Sequence, residues 1–294
     1  MKLVVTGALG HISKPMVEQL VKEGHQVTVI SSNPARVAEI EALGASAAIG
    51  SVEDVSFLTT TFTGADAVYT MVPPTWSAAD WKGHIHNIGK NYATAIRNSR
   101  VKKVVNLSSI GAHMPTGCGP VSGLHGVESE LNALENTDVL HLRPAYFFHN
   151  LLSNIGMIKH MGIMGGNYGE NATMVLVHPT DIAAVAAAEL GKAQFTGKSV
   201  KYIAGDERTT TDIAQTIGNA IGKPGLPWVN FSNEDALNGM VQAGLSSEVA
   251  ANYVEMGSAM ASGAMAEQYN SGKPALSPTK LEDFAKEFAA IYAL

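Results

Sequence analysis

The chain has 294 residues, long enough to bury a large hydrophobic core in one elaborated domain or two. Its composition, 46% hydrophobic and 16% charged, excludes a disordered chain. A net charge of −6 without any lysine or arginine run argues against binding driven by nucleic-acid phosphates. The one cysteine, Cys118, excludes an internal disulfide and a cysteine-based zinc site, and it fits a reducing compartment.

The start of the chain is apolar but does not have the pattern of a signal peptide. The apolar run breaks at Gly7 and Gly10 and is not followed by a cleavage pattern, and no run approaches the roughly 20 residues that span a bilayer. We therefore expect a cytoplasmic protein with no membrane contact and no direct nucleic-acid contact. His84 and His86 lie two residues apart where a helix is predicted to begin, so they point to different faces. No carboxylate cluster lies near them in the sequence, and we expect no metal there.

The first thirty residues follow the pattern strand, glycine turn, helix, strand. An apolar β-branched run ends at Thr6, apolar residues then recur at helical spacing, and a second strand is predicted at 26–30. Gly7 allows a tight bend after the first strand. Gly10 lacks a Cβ, so its backbone can approach a pyrophosphate that the start of the helix attracts. This unit is typical of dinucleotide binding.

Strand and helix patterns continue to alternate up to about residue 150. Strands are predicted at 45–49, 66–72, 103–108 and 139–142. Helices are predicted after Asn33-Pro34, over 85–99 and over 127–134. Five strand–helix units in succession predict an α/β fold with a doubly wound parallel sheet, which binds ligands at the carboxyl ends of its strands. Residues 1–150 are the predicted nucleotide-binding domain.

Residues 151–294 are predicted to form a smaller region that caps the sheet and binds substrate. Its methionine-rich start places Met157, Met161 and Met164 on one helical face. Strands at 174–178 and 199–204 are expected to rejoin the main sheet. Helices are predicted at 180–190, with Asp181 as cap, at 211–221, at 246–260 and at 279–294, the last opened by a Thr279…Glu282 capping box.

Several different short motifs occur along the chain in a characteristic order. They are Thr6-Gly-Ala-Leu-Gly10, Gly64-Ala-Asp-Ala-Val68, Val104-Val-Asn-Leu-Ser-Ser109, Leu142-Arg-Pro144 with Phe147 and Asn150-Leu151, His178-Pro-Thr-Asp-Ile-Ala-Ala184, and Ile203-Ala-Gly-Asp206. In this order the chain resembles the NmrA-like branch of the atypical short-chain dehydrogenases/reductases, in particular its NAD(P)H-dependent quinone and triphenylmethane-dye reductases. The resemblance implies a Rossmann fold and an oxidoreductase.

Two departures from the family pattern bear on chemistry. The usual catalytic Tyr-x-x-x-Lys pair is missing, because His125 stands near the tyrosine position and Ser129 near the lysine position. The spacing does occur at Tyr269 and Lys273, far down the chain, where we interpret it as chance. The family's adenine-side Gly-Asp after the third strand is replaced by Gly50-Ser51.

The second strand ends without the carboxylate that grips the ribose of NAD. It ends instead in hydroxyl and amide groups, with Arg36 one turn on, which favours the 2′-phosphate of NADP(H) over NAD(H). The alternative is that Asn33 only caps a helix and Arg36 is a surface residue. The predicted nucleotide contacts are Thr6, Gly7, Leu9, Gly10, His11, Ile12, Ser31, Ser32, Asn33, Arg36, Ser51, Met71, Val72 and Pro73.

A missing Tyr–Lys pair favours an acceptor that needs little acid catalysis. Reduction of a plain ketone forms a strongly basic alkoxide, whereas a quinone or cationic dye yields a stabilised product. The prediction is therefore a reductase of quinone-like or other conjugated small molecules. Two alternatives stay open: a non-catalytic redox sensor that binds NAD(P) and a protein partner, and a nucleotide-sugar epimerase-like enzyme. A homodimer is also left open.

Four residues are candidates for contact with the acceptor. His125 could donate a proton, and Ser109 at the end of the fifth strand could orient a substrate oxygen. Tyr146 and Asn150 follow the sixth strand and are candidate pocket residues. For each of them a purely structural role is the alternative.

Overall fold

The computed structural model describes residues 1–294 and contains twelve strands and twelve helices. The strands are β1 Lys2–Val5, β2 Gln26–Ser31, β3 Ser46–Ile49, β4 Ala67–Thr70, β5 Lys103–Leu107, β6 Asp138–Pro144, β7 Tyr146–Phe147, β8 Met164–Gly166, β9 Thr173–Val177, β10 Lys198–Ile203, β11 Asp206–Thr209 and β12 Trp228–Asn230. The helices are α1 Ser13–Lys22, α2 Val37–Ala42, α3 Val55–Phe62, α4 Trp81–Ser99, α5 Pro120–Asn132, α6 Ile155–Met161, α7 Pro179–Lys192, α8 Thr210–Ala220, α9 Asn233–Gln242, α10 Ser247–Ala261, α11 Glu267–Ser271 and α12 Leu281–Tyr292.

The central sheet has seven strands in the order β10-β6-β5-β4-β1-β2-β3. Pairing is parallel from β1 to β2 and β4, from β2 to β3, from β4 to β5 and from β5 to β6. The chain runs outward from β1 in one direction and then returns to β4 on its other side. The predicted doubly wound fold is confirmed, and its topological switch point lies at the carboxyl end of β1.

Burial explains why these segments form strands of a covered parallel sheet. All four residues of β4 are buried, and so are the last three of β1. Such continuous apolar runs are typical of strands with helices on both faces. One of these helices, α5, packs closely on α4, because a Cβ at Gly89 would lie 2.8 Å from the Val127 Cα, and one at Gly123 would lie 2.8 Å from the Ile85 Cβ.

The chain divides into two compact units. Unit 1 consists of residues 1–109, 123–143 and 182–201, and unit 2 of 110–122, 144–181 and 202–294. The chain passes between the two units five times: it first enters unit 2 at Ile110, and it returns to unit 1 for residues 123–143 and again for most of α7. None of the helices combines the length and the hydropathy that a membrane span requires.

One of the two strands expected to rejoin the main sheet does not do so. β10 joins that sheet beside β6, as predicted, but β9 lies in a separate three-stranded sheet between β7 and β11. β11 pairs antiparallel with β9, with Asp206 opposite Leu176. The prediction for 174–178 is therefore wrong, because the polar strand β11, Asp206–Thr209, supplies a partner that the apolar pattern does not reveal.

Unit 2 has its own hydrophobic core beneath α8 and α12. Its fully buried aromatic members include Phe148, Phe284 and Phe288, and Phe148 stacks on Phe284 at 5.3 Å between ring centroids. Met164 also belongs to this core, but it lies in β8 and not on the predicted helical face with Met157 and Met161. Met161 is largely exposed.

The predicted cap of the last helix is wrong. α12 begins at Leu281, and the N–H and hydroxyl of Thr279 donate to the Asp181 carboxylate at 3.2 and 2.9 Å. The Lys280 N–H donates instead to Asp283, at 3.3 Å. Asp181 lies within the first turn of α7, so its carboxylate fixes Thr279 and does not serve as the predicted helix cap.

Candidate active site

The turn after β1 is built around Gly7. Its φ is +89°, and a Cβ there would lie 2.8 Å from the Met71 Cγ and 2.9 Å from the Ser13 Oγ. The Ser13 hydroxyl donates to the Thr6 carbonyl at 3.2 Å. Ser13, three residues after Gly10, is thus buried and allows α1 to pack close to β1.

The start of α1 is open to an anion. No side chain caps it and no acidic residue lies in its first turn, so the partial positive charge of the helix end is not neutralised. Gly10 is exposed, and a Cβ there would meet only the Gly7 carbonyl oxygen, at 3.6 Å. The backbone at Gly10 therefore faces free space beside the helix start, which fits a pyrophosphate.

Buried hydrogen bonds hold this turn against β4. The Met71 N–H donates to the Thr6 hydroxyl at 2.9 Å, and the Tyr92 hydroxyl of α4 donates to the Met71 carbonyl at 2.6 Å. Of the predicted nucleotide contacts, Thr6, Leu9 and Ile12 are buried and support the turn. Gly10 and His11 are exposed there, and the segment Met71, Val72 and Pro73 is half-buried beside it.

At the end of β2, two of the four predicted contacts are engaged within the chain. The buried Ser31 hydroxyl accepts from the Asn33 N–H at 3.1 Å, and the Asn33 side chain accepts from the Ala35 N–H at 3.0 Å. Asn33 therefore does cap the helical turn that begins at Pro34. Ser32 is exposed and Arg36 half-buried, and both lie at the carboxyl edge of the sheet.

The loop after β3 keeps the glycine of the family's Gly-Asp pair and has Ser51 in place of the aspartate. A Cβ at Gly50 would lie 2.6 Å from the Phe57 ring, so glycine is needed for packing. Asp54 caps α3, a helix that the sequence analysis missed, and accepts from the N–H groups of Ser56 and Phe57 at 2.8 and 3.0 Å. This leaves Ser51, which is exposed, as the polar side chain next to Gly50.

A buried ion pair, not foreseen from the sequence, joins α5 to the ends of β5 and β6. Glu128 of α5 accepts from the Arg143 Nε at 3.0 Å and from its Nη2 at 2.6 Å. The Ser108 hydroxyl donates to the same carboxylate at 2.5 Å. The side chain of Glu128 is only 6% exposed, and that of Arg143 is 8% exposed.

This ion pair bears on the placement of the two catalytic candidates. Ser109 directly follows Ser108, and His125 lies one helical turn before Glu128, which puts the two α5 side chains on the same helix face. Both candidates are half-buried. The Glu128–Arg143–Ser108 cluster thus fixes the backbone that carries Ser109 and His125 at the carboxyl edge of unit 1.

A second buried chain of hydrogen bonds crosses the same edge. The Thr70 hydroxyl donates to Asn106, whose amide donates to the His141 Nδ1 at 3.1 Å. The His141 Nε2 then donates to Asn132 at 3.0 Å. Burial lowers the pKa of His141 to about 4, so this histidine is neutral near pH 7 and is structural rather than catalytic.

Unit 2 contains a cavity of about 480 Å³. Tyr146, Met260 and Met265 line it together with two charged residues, Glu207 and Lys273. Tyr146 lines this cavity, and its contact with an acceptor stays a prediction. Asn150 is exposed and does not line this cavity, and neither do the methionines of the 151–164 segment.

The Tyr-x-x-x-Lys spacing that we interpreted as chance brings both residues onto one carboxylate in unit 2. Glu207 accepts from the Tyr269 hydroxyl at 2.7 Å and from the Lys273 ammonium at 2.6 Å. The Lys273 ammonium is the main reason that the pKa of Glu207 lies below its ordinary value. Glu207 therefore stays ionised at the cavity wall, a role that its sequence pattern did not indicate.

The remaining candidates do not form a reactive centre. Cys118 is buried, and burial, with a smaller contribution from Glu255, raises the pKa of its thiol to about 12. This agrees with an inert loop cysteine. His86 of α4 bonds the Glu130 carboxylate of α5 at 2.9 Å, which gives it a structural partner.

The comparisons with known proteins fit this geometry. Residues 7–134 match the model of an NAD(P)H-binding family. An NAD(P)H azoreductase of Xenophilus azovorans is 23% identical over 250 residues, 84% of this chain and 83% of the relative.

Two solved structures share the fold over nearly the whole chain. The NADPH-dependent quinone oxidoreductase of Escherichia coli, in complex with NADPH, gives a TM-score of 0.81 at 21% identity, over 97% of this chain and 99% of that one. The Citrobacter sp. triphenylmethane reductase, in complex with NADP(H), gives 0.79 at 19% identity, over 98% and 100%. The resemblance found in the sequence is thus supported: residues 7–134 match an NAD(P)H-binding family model, and the chain shares the fold of these two reductases.

Proposed function

We propose that this protein is an NAD(P)H-dependent oxidoreductase that reduces a quinone-like or other conjugated small molecule. The observation that carries the proposal is the open start of α1 beside Gly10, combined with an α5 that lacks the Tyr–Lys pair. The azoreductase relative and the two reductases of the same fold support an acceptor of this kind.

The residues of unit 1 fit the nucleotide. Gly7 gives the tight turn, and the free space at Gly10 admits the pyrophosphate next to an uncapped helix start. Met71, Val72 and Pro73 provide the neighbouring wall at the topological switch point. Ser51 is the exposed hydroxyl next to Gly50, after β3. When bound, the reduced nicotinamide supplies a hydride.

We assign recognition of the 2′-phosphate to Ser32 and Arg36. The side chains of Ser31 and Asn33 accept hydrogen bonds from the backbone of the turn itself. Ser32 is exposed and Arg36 is half-buried at the same edge. No acidic side chain stands at the end of β2 to repel a phosphate. A guanidinium binds phosphate through charge-assisted hydrogen bonds, so NADP(H) is favoured over NAD(H).

An Arg36→Ala variant is expected to bind NADPH about tenfold more weakly, with NADH affinity unchanged, because the lost contact is made only to the 2′-phosphate. Fluorescence titration with both nucleotides measures this. Arg97→Ala, at an exposed arginine of α4, is the matched control and is expected to change neither affinity. Equal losses for NADPH and NADH in Arg36→Ala would remove Arg36 from phosphate recognition.

The chemistry that we assign to this chain needs only weak acid catalysis from the protein. Reduction of a quinone takes one hydride and one proton to the hydroquinone, and the intermediate phenolate is a weak base. Orientation of the acceptor then supplies most of the rate. His125, at the tyrosine position on α5, is the residue that we assign to protonate the acceptor oxygen, and Ser109 is assigned to orient it.

A His125→Ala variant is expected to lower kcat for a quinone by about tenfold to a hundredfold, at the weak end of acid–base catalysis. NADPH affinity is expected to stay within about twofold, because the pyrophosphate site lies at the start of α1. Stopped-flow and titration measurements separate the two effects. Ser129→Ala, on an exposed residue of the same helix, is the control. An unchanged kcat in His125→Ala would leave the histidine without a catalytic role.

We assign a small-molecule ligand to the cavity of unit 2. Its volume of about 480 Å³ suits a small aromatic molecule. Flexible methionines at 260 and 265 adapt to flat apolar rings. The ionised Glu207 and its partner Lys273 are the charged groups on the cavity wall.

A panel of acceptors tests the proposed activity. Purified protein is mixed with NADPH and then with benzoquinone, an azo dye, a triphenylmethane dye and a plain ketone, and nucleotide absorbance is followed. Consumption with the conjugated acceptors but not with the ketone supports the proposal. Binding of NADPH without consumption by any acceptor would overturn it and would favour the redox sensor.

A further inference from the structure

Two histidines and a glutamate of unit 2 converge at the edge of its core. They are His149, in the 3₁₀ turn Phe148–Asn154, His178, directly after β9, and Glu287, on α12. Each offers one ligand atom, and these three atoms all lie within 4.8 Å of one another. The His178 Nε2 is 3.3 Å from the Glu287 Oε2. In a tetrahedral zinc site, neighbouring ligand atoms are about 3.4 Å apart, which is close to this separation.

The surroundings of the three groups are apolar on one side. Phe284 lies 5.6 Å from the His149 ring and 6.4 Å from the His178 ring, centroid to centroid. The His178 side chain is only 7% exposed, whereas that of Glu287 is 48% exposed. A cation entering from solvent beside Glu287 would therefore reach two imidazoles that are held by packing.

The second hydrogen bond of His178 suits a metal ligand. Without a metal, the Thr180 N–H donates to the His178 Nδ1 at 3.2 Å, so Nε2 carries the proton and donates to Glu287. The Thr180 hydroxyl lies 2.6 Å from the same Nδ1. In the other tautomer this hydroxyl accepts a hydrogen bond from the Nδ1–H, the bond from the Thr180 N–H is given up, and the Nε2 lone pair becomes available to an ion. An outer hydrogen bond of this kind is usual for metal-ligating histidines.

We propose that His149, His178 and Glu287 form a binding site for a divalent transition-metal ion of the zinc class. Two imidazoles and one carboxylate are borderline ligands that favour Zn²⁺, Co²⁺ or Ni²⁺ over the oxygen-seeking Mg²⁺ and Ca²⁺. Water completes the coordination. The ion links segments 109 residues apart in the chain and so fastens α12 to the turn after β9. This proposal is independent of the proposed reductase activity.

The test uses the full-length protein after removal of metals with a chelator. Titration with Co²⁺ is followed by visible absorption, and Zn²⁺ is titrated by calorimetry. We expect one ion per chain, an absorption band of low-coordinate Co²⁺, and a thermal unfolding temperature that rises with added Zn²⁺. Binding is expected to weaken as pH falls, because protons compete for the imidazoles.

Four variants make the assignment specific. His149→Gln and His178→Gln are each expected to weaken Zn²⁺ binding by about 100-fold or more, and Glu287→Gln by at least about tenfold. Thr180→Val, which removes only the outer hydroxyl, is expected to weaken it by about tenfold. Glu287 and Thr180 are exposed, so their variants keep the test valid if a histidine variant fails to fold.

Matched controls separate the site from casual surface binding. His160→Gln and Glu234→Gln alter exposed residues of the same unit and are expected to leave Zn²⁺ affinity and the Co²⁺ spectrum unchanged. Absence of stoichiometric binding would overturn the proposal. Binding that survives in both His149→Gln and Glu287→Gln would overturn it equally, because the ion would then lie elsewhere.

Discussion

Gly10→Asp is expected to weaken NADPH binding by at least about 100-fold, or about 2.7 kcal/mol, without unfolding the protein. The position is exposed and a Cβ there meets only the Gly7 carbonyl oxygen at 3.6 Å, so the fold admits a side chain. An aspartate carboxylate would occupy the space that the pyrophosphate needs and would repel its charge. It would also favour the start of α1 electrostatically, which keeps the fold intact.

The comparison with Gly7 makes this variant informative. Gly7→Ala places a Cβ at a φ of +89° and 2.8 Å from Met71, so it is expected to lower stability as well as binding. Ala38→Asp, on the exposed side of α2, controls for added negative charge. Calorimetric Kd values and thermal unfolding of the variants separate the effects. A Gly10→Asp protein that binds NADPH like the parent would contradict the assigned phosphate site.

Glu128→Gln is expected to destabilise the protein by about 3–5 kcal/mol, because it removes the charge that balances the buried Arg143 guanidinium. The paired side chains are 6% and 8% exposed, so water screens little of the loss. The amide oxygen of the new glutamine remains as a weaker hydrogen-bond acceptor for the Ser108 hydroxyl. The apparent Tm is expected to fall on the order of 10 °C in thermal unfolding followed by circular dichroism.

Glu130→Gln, two residues along the same helix, is the control for this prediction. Its carboxylate pairs with His86 at 2.9 Å but is one-third exposed, and its loss is expected to cost less than about 1 kcal/mol. A double variant, Glu128→Leu with Arg143→Met, removes both buried charges and is expected to recover much of the stability. If Glu128→Gln were no more destabilising than Glu130→Gln, the buried pair would not be holding α5.

The central strands of the sheet in unit 1 could be predicted because they are mostly buried and mostly apolar. Runs such as 103–108 show this pattern without reference to other parts of the chain, and the glycine turn has a local steric cause at Gly7. The same reasoning failed for 174–178. Whether an apolar strand joins one sheet or another depends on its partner, and β11 is too polar to be recognised alone.

The site was harder to predict because its groups meet through tertiary contacts. Glu128 and Arg143 are 15 residues apart, and nothing in their local pattern shows that both are buried. Glu207 and Lys273, 66 residues apart, form another such pair. Thr279 illustrates competition: its spacing to Glu282 suits a capping box, but Asp181 offers a charged acceptor for the same hydroxyl. Spacing alone does not decide such cases.

Deuterium transfer tests the central claim most directly. NADPH carrying deuterium at both hydrogens of nicotinamide C4 is incubated with the protein and a triphenylmethane dye, and the colourless product is analysed by mass spectrometry. A hydride-transferring reductase places one deuterium on the central carbon of the dye, where it does not exchange with water. We expect that label in the product of the parent protein and none from Gly10→Asp at limiting NADPH. Nucleotide that binds without dye reduction, or a reduced dye without deuterium, would contradict the assignment as a hydride-transferring reductase.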